Sequence, residues 1–118
     1  MDKIDRPENC RLLESIYVDC AEIQAALKVE GSRESNAQYH EDIERDIVTL
    51  ENLKRITLAV KHDIAKERIG ESVELILLIT ANDFKNKLNM IPEKKAVIKD
   101  MIEKIKVVHK NVRQFMQN

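Results

Sequence analysis

A chain of 118 residues holds one domain and one core, not two. With 43% apolar and 35% charged residues and only two Gly and two Pro, its composition excludes a disordered chain and disfavours a turn-rich sheet. The net charge of −1 says little about partners, but residues 1–53 sum to −7 and residues 54–118 to +6. That asymmetry fits acidic and basic helices side by side in one bundle, or two faces of opposite sign that meet a charged partner or a second copy.

The first predicted helix runs from Arg6 to Val29. Asp5 stands at an N-cap position, and Pro7 is tolerated in the first turn, where its missing N–H costs nothing. Leu13, Ile16, Cys20, Ile23 and Leu27 alternate spacings of three and four, the narrow seam by which helices pack along their length. Gly31, free to take a left-handed C′ conformation, is the expected stop. Cys10 and Cys20, about 15 Å apart along one helix, cannot bridge each other. Two unpaired thiols point to a reducing compartment, and neither a signal peptide nor a membrane-length apolar run is present, so a cytoplasmic location is expected.

Ser35 and Gln38 have the spacing of a capping box that would open a second helix near Asn36. Its apolar stripe is Ile43, Ile47, Leu50, Leu53, Val60 and Ile64, with Thr57 inside it. This helix is expected to reach Ile69, because Gly70 is costly in a helix interior and the apolar stripe changes phase beyond it.

Val73–Asn89, with Leu75, Ile76, Leu77, Leu78 and Ile79 in succession, reads as a third helix that is apolar on nearly every side. Such a helix needs neighbours all round, so it is the expected centre of the bundle. A fourth helix follows from Pro92 to Met116. Ile98, Met101, Ile105, Val108, Val112 and Phe115 form its seam, and lysines occupy the remaining faces. The fold expected is all-α: a single four-helix bundle over residues 1–118, mainly antiparallel, with coiled-coil-like seams.

His62, in Lys61-His62-Asp63 with Lys66 one turn on, resembles the phosphoryl-carrying position of histidine phosphotransfer domains. Ala65 stands where those domains usually carry lysine, and Lys66 is followed by Glu67 rather than a small residue. Arg55 and His62, seven apart on one face, resemble the motif of HEPN-type helical ribonucleases, which work as dimers. That resemblance implies charge stabilisation by Arg55 and acid–base work by His62, although Ile56 replaces the usual polar residue.

Neither Glu-x-x-His nor His-x-x-x-His occurs, so no metal or other cofactor is expected. The basic face of the last helix offers an alternative role in nucleic-acid binding. Against it stand the pI near 6.3 and the scarcity of aromatics for stacking. The function expected is a non-enzymatic protein–protein interaction module: an adaptor, a small chaperone-like binder or an inhibitor. The two seams carry more apolar edge than one bundle needs. Leu13, Ile16, Ile98, Met101, Ile105, Val108, Val112 and Phe115 are therefore the residues expected to meet a partner helix or a second protomer.

Overall fold

The computed structural model describes residues 6–65 and 92–117, and these are all-α. Helix α1 is Arg6–Arg33, α2 is Ala37–Ala65, and a 3-10 turn at Pro92–Lys94 leads into α3, Lys95–Gln117. Proline can open that turn because its first N–H groups need no partner within it. The predicted helix over 73–89 and the predicted break at Gly70 lie outside the described residues. Among those residues there are three α-helices and no strand.

Register follows from paired side chains. Along α1 and α2, Glu14 meets Lys61, Gln24 meets Glu51 and Gly31 meets Ile43. Along α1 and α3, Asn9 meets Asn111, Asp19 meets Lys104 and Glu22 meets Lys94. In both sets one number rises as the other falls. Thus α1 is antiparallel to α2 and to α3, and those two run parallel to each other.

The stripes read from the sequence form the core. Leu13, Ile16, Cys20, Ile23 and Leu27 of α1 are buried with Ile43, Leu50, Leu53, Val60 and Ile64 of α2 and Ile98, Met101, Ile105, Val108 and Val112 of α3. Ile47 and Val97 pack half-buried against this cluster. Thr57, the one polar member of the α2 stripe, donates its hydroxyl to the Leu53 carbonyl at 2.7 Å. Spending that hydroxyl on its own helix lets it sit in an apolar interior.

Two helix ends differ from expectation. Helix α1 continues through Gly31 to Arg33, and Gly31 is buried inside it rather than left-handed beyond it. A Cβ there would lie 3.3 Å from Ile43 Cγ2, so the glycine serves close packing of α2. The cap of α2 is Asn36 in place of Ser35: its Oδ1 accepts the Tyr39 N–H at 3.1 Å, three positions on. Glu34 in turn accepts the Asn36 N–H at 2.8 Å.

Candidate interaction surface

Of the eight residues expected to face a partner, Leu13, Ile16, Ile98, Met101, Ile105, Val108 and Val112 are all buried within the molecule. The side chain of Phe115 lies outside the described residues. These seam residues are enclosed in the chain's own core. An apolar stripe records that a face will be covered; it does not record by which chain.

The charge asymmetry is spent in the same way. Acidic α1 supplies Glu14 to Lys61 of α2 (2.7 Å), Asp19 to Lys104 of α3 (3.3 Å) and Glu22 to Lys94 (3.3 Å). Lys104 is the centre of a small network, donating to Ser15 Oγ at 2.6 Å, to Asp19 and to Asp100. Burial lifts the Asp19 carboxyl above its ordinary range, against the pull of Lys104. The hydrogen bond from Lys104 holds Asp100 below it. Burial opposes the Lys104 ammonium, but its bonds to Asp100 and Asp19 outweigh that and raise its pKa. A lysine held in its charged form is a pin, not a base.

Both cysteines are free, Cys10 half-buried and Cys20 buried. The Cys20 thiol donates to Met101 Sδ at 3.4 Å and is pushed up to about 12, chiefly by burial and then by Asp19. It is a core residue with no thiolate chemistry near neutral pH. Arg55 and His62 lie exposed on α2, and among the described residues neither makes a hydrogen bond or ion pair. His40 faces Glu44 at 3.6 Å. Among the described residues no cluster of histidine, cysteine and carboxylate groups has the arrangement of a metal site, and no helix is long and apolar enough to cross a membrane.

Among the described residues Val18, Val29, Val48, Leu58 and Val107 are apolar and exposed, and two of them lie at the outer groove between α1 and α2. Val18 points away from the α1 core stripe and is 62% exposed; Leu58 of α2 is 51% exposed. With Leu13, Glu14, Tyr17, Thr57 and Lys61 they line a cleft of about 280 Å³. The Glu14–Lys61 pair closes one end. The other end is fixed by Lys54, whose ammonium sits 5.3 Å from the centre of the Tyr17 ring and donates to Gln24 Oε1 and Glu51 Oε2. Gln24, itself buried, completes this network by donating to Glu51 at 3.0 Å and to the Ile47 carbonyl at 3.2 Å. Those bonds from Gln24 and Lys54 hold the Glu51 carboxyl below its usual range.

Polar contacts thus stand at both ends of a small apolar opening. Its volume stands at the lower bound of the roughly 300–1,000 Å³ of small-molecule sites. Nothing in the sequence marked this cleft, because Val18 and Leu58 are single apolar residues off the periodic stripes. Comparison with protein-family models, curated proteins and solved structures gives no match for this chain.

Proposed function

We propose that the protein is a non-enzymatic interaction module, an adaptor, small chaperone-like binder or inhibitor, that takes one apolar side chain of a partner helix or a second protomer into the α1–α2 cleft. The observation that carries this reading is the pairing of Val18 and Leu58 at the rim of the cleft, while the apolar stripes of the described helices are used internally. A knob seated between two antiparallel helices is how helices recognise helices. Exposed apolar side chains grouped around a depression also mark contact sites more often than scattered ones do. The reading extends to a four-helix bundle with 73–89 as its enclosed member, resting on the apolar run of the sequence alone. The two unbridged thiols favour a reducing compartment such as the cytoplasm.

The test is a double substitution, Val18→Asp with Leu58→Asp. Both side chains are exposed, so the melting temperature should hold while self-association or partner capture, followed by sedimentation and crosslinking, is lost. Association that persists unchanged in a folded double variant would remove the cleft from consideration.

A further inference from the structure

We propose that α3 carries a second contact surface, a basic ridge that docks an acidic amphipathic helix of a partner protein; this rests on the reading of the chain as a protein-binding module. At 100° per residue, Lys95, Lys99, Lys106, Lys110 and Arg113 fall within an arc of about 60°, spread over about 27 Å of helix. All five are exposed. The ridge lies apart from the α3 edge that meets α1, where Asp100, Lys104 and Asn111 make their contacts.

Two groups of cations on α3 and its opening turn are used differently. Lys94 and Lys104 are committed to carboxylates of α1. On the ridge, among the described residues, Lys106 pairs with the exposed Glu103 alone, at 3.6 Å and one turn away on its own helix. Among the described residues Lys95, Lys99 and Lys110 make no ion pair. His109 is held below its usual range first by burial and then by Arg113.

An apolar feature interrupts the ridge. Lys99, Ile102, Glu103 and Lys106 line a cleft of about 250 Å³, in which Ile102, almost wholly buried, is the apolar residue and Glu103 the acidic one. Cations on either side of an apolar recess match a helix with carboxylates on one ridge and one apolar anchor between them. A nucleic acid would use the cations but has no group for the recess, and residues 93–114 contain no Phe, Tyr or Trp on which a base could stack. Of the carboxylates a second copy would offer, Glu14, Asp19 and Glu22 of α1 are already taken by Lys61, Lys104 and Lys94, and Asp42 and Glu51 of α2 by Arg45 and Lys54.

The experiment uses the full chain and a labelled synthetic helical peptide of about 18 residues, with Glu at alternating three- and four-residue spacing and one Leu between two of them. A shuffled peptide of equal composition, poly-uridylate RNA and phosphatidylserine vesicles are the comparison probes. Binding should favour the patterned peptide and weaken with salt. The triple variant Lys99→Glu, Lys106→Glu, Lys110→Glu should bind it at least roughly eightfold less tightly, since three exposed ion pairs each contribute about a factor of two. A peptide with Lys for Glu should bind that variant better than the unaltered chain.

Equal binding of the patterned and shuffled peptides overturns the proposal. So does binding that survives the lysine changes but falls with Val18→Asp and Leu58→Asp; that result leaves the cleft reading standing. RNA or vesicles binding more tightly than the peptide overturns the ridge proposal and counts against a protein partner as well.

Discussion

The two interfaces of α1 are built on different plans. Against α2 it meets a helix joined to it by a three-residue connection, Glu34–Asn36; Gly31 lets Ile43 approach, and the buried Gln24 crosses to the Ile47 carbonyl and to Glu51. Against α3 it meets a segment far along the chain. That contact is set by buried or half-buried polar groups: Asn9 with Asn111 at 3.1 Å, and Lys104 with Ser15 and Asp19. The local pair has a short connection to limit its register, and the Gly31–Ile43 contact and the Gln24 bonds to fix it. The distant pair has the entropy of a long closure to overcome and several sliding alternatives to exclude. A polar group inside an apolar seam is satisfied in only one register, so it specifies alignment even where it contributes little net stability.

The largest effect that sharpens this contrast is on the α3 seam itself. Val108→Asp places a carboxylate at a fully buried position in the core. An unpaired buried charge of that kind costs upward of about 4 kcal/mol, a large part of a small domain's total stability. The expected result is loss of cooperative urea unfolding and of much of the far-ultraviolet circular dichroism. One residue earlier, Val107 is 41% exposed, and Val107→Asp should leave stability within about 0.5 kcal/mol. Similar behaviour of the two variants would mean that the α3 seam is not held inside this chain.

This pair of residues also shows how far the sequence could be read. Three- and four-residue spacing put Val108 on a covered face and Val107 off it, and the described stripes fold as that spacing requires. Spacing alone left the covering element open, so Val108 and Val112 looked available to a partner when α1 and the rest of the core enclose them. The register of α3 was not legible either: Asn9 and Asn111 are 102 positions apart, and neither stands out from the other polar residues of its helix. The cleft was silent for a similar reason. Its rim is made by Val18 and Leu58, which come together only once α1 and α2 are antiparallel at this register.

Next in size is the pin between α1 and α3. Lys104→Met removes donors to Ser15, Asp19 and Asp100 while keeping much of the side-chain volume. A cost of roughly 1–2 kcal/mol at neutral pH is expected from leaving those acceptors short of a donor. The pH dependence carries the signature. Asp19, raised in the folded chain, contributes stability that is present at low pH and lost as pH rises through its raised value. Asp100, lowered, contributes stability above its unfolded value and loses it as pH falls through its folded one. Without Lys104 the Asp100 contribution goes, and burial acts on Asp19 unopposed. The deficit of the variant should therefore shrink between about pH 7 and about pH 4, measured by urea unfolding at both. A deficit that stays constant with pH would show that Lys104 acts by packing alone.

The smallest expected effect tests the other interface, at the end where Gly31 packs against Ile43. Gly31→Ala should gain up to about 1 kcal/mol of helix propensity, less near a helix end than at its middle. Opposing it, the new Cβ would meet Ile43 Cγ2 at 3.3 Å, and the buried, β-branched Ile43 can move only a few tenths of an ångström without leaving its rotamer. The two contributions nearly cancel, so Gly31→Ala should lie within about 0.5 kcal/mol of the unaltered chain. Gly31→Leu cannot be absorbed that way and should cost about 1–3 kcal/mol, the range for overpacked interiors. Pairing it with Ile43→Ala should return part of that loss, because the space removed at one position is the space required at the other. If Gly31→Leu were as harmless as alanine, the glycine would be an accident of the helix end rather than the point at which α2 comes closest to α1.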